Sequence, residues 1–174
     1  MTNALKKIKP IKRQALLVVL IVAGLSAVGA GLYYQLFLAP KPVPSPLIAA
    51  ASTVNFKLYY PSSLPNGYSF DKGSVNQPQS GVVVFALLQP GQPKIYISQE
   101  QKPSGFDFAS FVANFKSKKT VTTPLGTTTL GLASNNAIAS LVSPKSWIIV
   151  NTKASNKTSY SELETIIKNL SPIN

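Results

Sequence analysis

The sequence predicts an α+β protein in which an N-terminal transmembrane helix precedes one domain, built from an antiparallel sheet and two amphipathic helices. Three observations support this fold class. Residues 15–38 contain no charged residue, apolar residues alternate along several short segments after residue 54, and two later segments repeat apolar residues with helical spacing. The chain has 174 residues, which is enough for one domain of ordinary size and an anchor.

The N-terminal 38 residues have the charge pattern of a signal anchor. Residues 1–14 form a basic tail without acidic residues. The apolar residues 15–38 are long enough to cross a hydrocarbon core of about 30 Å. Because positive residues precede the apolar segment, we expect a cytoplasmic N-terminus, one pass through the cell membrane, and a C-terminal domain outside the cytoplasm. The alternative is a cleaved signal peptide, which would release a secreted soluble domain.

A proline-rich segment follows the predicted membrane helix. Every second residue from Pro40 to Pro46 is proline. Proline lacks an amide donor and has a fixed φ, which prevents a helix from continuing and favours an extended spacer. We therefore predict a linker at residues 39–53 and an extracytoplasmic domain at residues 54–174.

The outer domain is predicted to contain about eight strands. Apolar residues alternate from Val54 to Tyr60, and a turn at Asn66-Gly67 precedes a second short strand at 68–72. Residues 82–88 and 94–99 are predicted to form an antiparallel hairpin. The remaining strands are separated by short turns, as in a meander, and lie at residues 121–123, 127–133, 137–143 and 147–152.

Two segments are predicted to form amphipathic helices. Their apolar residues recur at i, i+3, i+4 and i+7, at Phe108, Phe111, Val112 and Phe115 in the first segment and at Leu163, Ile166, Ile167 and Leu170 in the second. If both helices packed on one face of the sheet, every apolar stripe would be buried. The expected domain is an antiparallel sheet of about six to eight strands with both helices on one face.

The opening of the domain carries a recognisable motif. Tyr60-Pro61 is followed by Leu64-Pro65-Asn66-Gly67-Tyr68 and then by strands, a helix, a meander and a closing helix. Over residues 56–170 the chain resembles an uncharacterised bacterial extracytoplasmic domain family with a P-x-x-LP-x-G-Y opening. Its members often follow a single membrane helix, some of them in anti-sigma-factor-like or sporulation-associated proteins. The resemblance implies the fold and the location, and it implies no catalytic residue.

The composition argues against most catalytic chemistry. The chain has no cysteine and no histidine, which excludes disulfides, thiolate zinc sites, cysteine nucleophiles and imidazole bases. No spacing brings its five acidic residues together as a catalytic pair. Ser143 and Ser146 lie close to Lys145 in sequence, but in a predicted turn. We therefore expect no enzyme, no metal and no cofactor.

The remaining functional signal is positive charge. From Lys41 onward the chain has twelve basic and five acidic residues. We predict an attraction to anionic lipid or wall polymer, centred on Lys116, Lys118 and Lys119. Plain solvation of the lysines is the alternative. Arginine is absent after Arg13, and basic and aromatic residues do not alternate, which argues against nucleic acid.

Two functions fit these features. The first is a non-enzymatic interaction or sensing module of the cell envelope, anchored in the lipid bilayer through residues 15–38. The second is an accessory subunit of a membrane complex that acts through its transmembrane helix. The sequence names no protein partner for either.

Overall fold

The computed structural model describes residues 42–154 and 160–173. The predicted cytoplasmic tail and the predicted transmembrane segment 15–38 lie outside these ranges. Among the described residues, no helix is long and apolar enough to span a membrane.

The described residues form three helices and nine strands. The helices are α1 (Ser45–Ala51), α2 (Phe108–Ala113) and α3 (Tyr160–Lys168). The strands are β1 (Tyr59–Pro61), β2 (Ser69–Phe70), β3 (Val82–Leu88), β4 (Ile95–Gln101), β5 (Lys116–Thr123), β6 (Gly126–Ala133), β7 (Asn136–Val142), β8 (Ser146–Lys153) and β9 (Leu170–Pro172).

Seven strands form one antiparallel sheet in the order β2-β3-β4-β8-β7-β6-β5. The predicted β3–β4 hairpin is present, and β5 to β8 form the predicted meander. The α+β class and an antiparallel sheet of six to eight strands are therefore confirmed. Strands β1 and β9 pair with each other in a separate two-stranded sheet.

One face of the large sheet carries the main hydrophobic core. The strand register aligns five side chains that are at most 1% exposed across neighbouring strands, namely Phe85, Ile97, Val150, Ala139 and Leu130. Helix α3 contributes Leu163, Ile166 and Ile167 to the same core. The predicted apolar stripe of this helix is thus buried against the sheet.

The two amphipathic helices lie on opposite faces of the sheet, so the prediction of one shared face is wrong. Trp147 and Ile148 are neighbours in β8 and therefore point to opposite faces. Ile148 is buried in the core that α3 covers. Trp147 contacts Phe111 of α2, with ring centroids 5.1 Å apart. The physical reason is that β8 has apolar residues at the consecutive positions Trp147, Ile148 and Ile149, so apolar side chains project from both of its faces.

Helix α2 is shorter than its apolar spacing predicted. It begins after Asp107, whose carboxylate accepts a hydrogen bond from the Ser110 amide at 3.1 Å, and ends at Ala113. Phe115 follows the helix and is buried above Gly131. A Cβ atom at position 131 would lie 2.7 Å from the Phe115 Cβ. Glycine at this position is what allows the close approach of Phe115 to the sheet.

The predicted strand from Val54 to Tyr60 is reduced to β1. Its partner is the C-terminal β9, which begins at Leu170, a residue predicted to belong to the last helix. A buried side-chain amide joins β1 to the large sheet. The Tyr59 amide donates to Gln99 Oε1 at 2.8 Å, and Gln99 Nε2 donates to the Tyr59 carbonyl at 2.7 Å. The partners of β1 are distant in the sequence, so the alternation of apolar residues within 54–60 does not identify them.

The predicted extended spacer does not continue to residue 53, because residues 45–51 form α1. Pro46 lies in the first turn, where a helix does not need its amide donor. The residues that follow it, Leu-Ile-Ala-Ala-Ala, mostly favour a helix. Leu47 and Ala50 pack into the main core. The folded part of the chain therefore begins before residue 54.

Candidate functional site

The predicted site residues Lys116, Lys118 and Lys119 lie at the start of β5, which is an edge strand of the large sheet. All three are exposed. The sequence placed them at a helix end, whereas α2 ends at Ala113. Ser117 has a φ of 50°, and the pairing with β6 shifts register between Lys116 and Lys119. This bulge bends the strand within the lysine segment.

Lys119 is held in an ion pair. Its Nζ atom lies 2.5 Å from Glu164 Oε2 on α3, and Lys168 Nζ lies 2.6 Å from Glu164 Oε1. Hydrogen bonds from Lys119 and from Lys168 lower the pKa of Glu164 to about 2. Lys119 therefore links the edge strand to α3, and part of its charge is neutralised by the carboxylate.

The other two lysines, Lys116 and Lys118, form no ion pair with an acidic residue of the described ranges. Lys118 Nζ donates a hydrogen bond to the Ala113 carbonyl at 2.6 Å, where it satisfies an acceptor at the end of α2. The side-chain amine of Lys116 forms no hydrogen bond or ion pair with the described residues. The structure thus brings the three lysines together in one segment, where Lys116 and Lys118 keep a positive charge without an acidic partner.

Most lysines of the domain resemble Lys116 in this respect. Within residues 42–154 and 160–173, seven exposed lysines form no ion pair, namely Lys57, Lys72, Lys102, Lys116, Lys118, Lys145 and Lys153. Lysines on an edge strand also discourage pairing with another chain, which is a structural role for Lys116 and Lys118.

Three acidic side chains have defined structural roles. Asp71 accepts a hydrogen bond from Lys94 at 2.8 Å, and this contact lowers the pKa of Asp71. Asp107 caps α2, and Glu164 binds two lysines. No group of three or more potential metal ligands occurs in the part of the chain that the structure describes.

The serines beside Lys145 close the turn between β7 and β8. The Ser143 hydroxyl accepts a hydrogen bond from the Ser146 amide at 3.0 Å. The Ser146 hydroxyl donates to the Lys57 carbonyl at 3.1 Å. Both serines are buried, and neither hydroxyl is hydrogen-bonded to the Lys145 amine. This geometry stabilises a turn and does not activate a nucleophile.

Sequence reasoning missed a pocket beside this turn, which is lined by Lys57 and Lys145. These two lysines are far apart along the chain, and no local motif connects them. Their proximity depends on the packing of the segment before β1 against the β7–β8 turn.

No family model, curated protein or solved structure shows a significant match to this chain.

Proposed function

We propose that this protein is a membrane-anchored, non-enzymatic module of the cell envelope whose extracytoplasmic domain contacts anionic lipid or wall polymer. The observation that carries the proposal is the unneutralised positive charge of the domain. Seven exposed lysines have no acidic partner within the described ranges, whereas the carboxylates of Asp71 and Glu164 are already paired with other lysines.

The anchor part of the proposal rests on the sequence. The basic tail followed by the uncharged segment 15–38 is typical of a single-pass helix with a cytoplasmic N-terminus. The resemblance to an extracytoplasmic family that often follows one membrane helix supports the same location. A domain held next to a bilayer experiences the attraction of anionic head groups, which is worth about 1 kcal/mol for each lysine near the surface.

The non-enzymatic part rests on the available side chains. Histidine and cysteine are absent from the whole sequence. The hydroxyls of Ser143 and Ser146 are engaged in the β7–β8 turn. These features favour binding over catalysis.

Protease treatment of intact spheroplasts tests the location. We expect protease added from outside to degrade the chain beyond residue 39 and to spare the basic tail, because the charge asymmetry orients the helix. Immunoblotting with tags at each terminus measures the outcome. Protection of a C-terminal tag would contradict the topology, and a mature N-terminus after residue 30 would indicate a cleaved signal peptide.

Vesicle cosedimentation tests the anionic-surface function. A fragment of residues 42–174 is expected to bind phosphatidylcholine vesicles that contain phosphatidylglycerol and not vesicles of phosphatidylcholine alone. Lys116→Gln combined with Lys118→Gln should weaken binding by about 2 kcal/mol, or roughly thirtyfold. Binding should weaken as salt rises, because charges farther apart than about 8 Å are screened at physiological salt.

A second double variant tests whether binding depends on the lysines of β5 or only on the net positive charge of the domain. Lys72→Gln with Lys102→Gln removes the same charge from exposed positions outside the lysine segment of β5. We expect it to weaken binding less. Equal losses in both double variants would contradict the assignment to Lys116 and Lys118. Equal binding of the fragment to neutral vesicles, anionic vesicles and isolated wall polymer would contradict the proposed function.

A further inference from the structure

A pocket of about 590 Å³ opens beside the β7–β8 turn. One wall comes from the segment before β1, and the other wall comes from the turn itself. Its lining includes Val54, Phe56, Lys57, Tyr59, Pro144 and Lys145. The volume lies within the usual range for sites that bind small molecules.

Positive charge is concentrated at this pocket. Lys57 and Lys145 both line it, and no acidic residue does. The β4–β8 register places Gln101 opposite Ser146. The ladder continues with a hydrogen bond from the Lys102 amide to the Lys145 carbonyl at 3.1 Å. Lys102 and Lys145 therefore occupy opposite positions at the end of this ladder, and like charges in such positions are destabilising.

The lining of the pocket combines apolar side chains with polar groups that can contact a ligand. Phe56 and Tyr59 are more than nine-tenths buried, so only small parts of their rings reach the pocket. Val54 and Pro144 add apolar surface to the lining. The Tyr59 hydroxyl has no hydrogen-bond partner among the residues that the structure describes. A phenol at a pocket wall is a donor suited to an anionic oxygen.

The two walls are held together without a ligand. The Ser146 hydroxyl of the turn donates to the Lys57 carbonyl of the opposite wall. The Gln99 amide fixes both backbone polar groups of Tyr59. Such a preformed pocket loses little conformational entropy when it binds a ligand.

We infer that this pocket binds a phosphate group that is attached to a small apolar body. The phosphate lies between Lys57 and Lys145, within reach of the Tyr59 hydroxyl, and the apolar body packs on Val54, Phe56 and Pro144. Lysine binds phosphate well as a point charge, and apolar surface supplies the remaining contact. This pocket is separate from the surface assigned to Lys116 and Lys118, because the register places Lys116 at the opposite end of the sheet from Lys145.

Titration of the full chain in a neutral detergent tests the inference. The probe is phenyl phosphate, and amide chemical shifts of Asn55, Lys57 and the β7–β8 turn are the measurement. We expect saturable shifts at these amides, weaker binding of inorganic phosphate, which lacks the apolar body, and weaker binding of benzyl alcohol, which lacks the charge.

Matched variants assign the binding to the pocket. Lys57→Gln and Lys145→Gln should each weaken phenyl phosphate binding about tenfold, the loss of one hydrogen bond to a charged group. Lys153→Gln removes the same charge at the other end of β8 and should leave the affinity unchanged. Tyr59→Phe keeps the ring and should weaken binding severalfold. An unchanged amide spectrum away from the pocket confirms that each variant is folded.

The source of the phosphate is distinguished by competition. Phosphatidic acid added to the micelles should displace phenyl phosphate if a lipid head group enters the pocket, and failure to displace it assigns the site to a soluble phosphate. Absence of saturable shifts with any phosphate probe, or an equal loss of affinity in Lys153→Gln, would overturn the inference.

Discussion

A fragment that begins at residue 52 is expected to be several kcal/mol less stable than one that begins at residue 42. The shorter fragment lacks α1, whose Leu47 side chain is fully buried in the main core. Truncation of a buried leucine to alanine alone costs about 2–5 kcal/mol. Removal of the whole helix also exposes the core surface that α1 covers.

Urea denaturation of the two fragments measures this difference. Trp147 is the single tryptophan of the chain and packs against Phe106 and Phe111, so its fluorescence reports unfolding of the domain. Leu47→Ala in the longer fragment should reproduce the lower end of the loss. Ile48→Ala is the matched control, because Ile48 is the next residue of the same helix and is 48% exposed. Its effect should stay within about 0.5 kcal/mol. Equal stability of the two fragments would show that α1 is dispensable and that the domain begins after it.

Phe85→Ala is expected to destabilise the domain by about 3–5 kcal/mol, the range for a large aromatic side chain removed from a core. Phe85 is fully buried on the face that α3 covers. Its ring lies 6.0 Å from that of Tyr60 and 6.1 Å from that of Phe70. The cavity would form where β1, β2 and β3 meet, and these well-packed neighbours have little room to relax into it.

Phe111→Ala is the matched comparison, and its cost should be clearly smaller than that of Phe85→Ala. Phe111 is half-buried on the opposite face, where it contacts Phe115 and Trp147. From helical spacing alone, Phe108, Phe111 and Phe115 would be expected to be buried as deeply as the apolar residues of α3. Urea denaturation of both variants decides between these descriptions, provided that they unfold with the same m-value. A loss for Phe111→Ala as large as that for Phe85→Ala would mean that the second face carries an equal share of the core.

The lysine segment of β5 illustrates which features of the protein can be predicted from local sequence and which cannot. Charge alone led to the prediction of Lys116, Lys118 and Lys119 as a binding site, but at a helix end, whereas they lie in β5. Their partners were not predictable, because Glu164 approaches Lys119 only when α3 packs beside β5. The pocket lysines Lys57 and Lys145 left no sequence signal, because their walls are joined by contacts between distant segments.

The sequence by itself determined the α+β class, the β3–β4 hairpin, the β5–β8 meander and the buried stripe of α3. Each of these depends on the alternation, helical spacing or turn residues of one short segment, which act locally. Only the tertiary structure decided that α1 belongs to the core, that β1 pairs with β9, and that α2 packs on Trp147 at the second face of the sheet. The periodicity of a segment shows which of its residues are buried, but not which surface buries them, since that surface is formed by residues elsewhere in the chain.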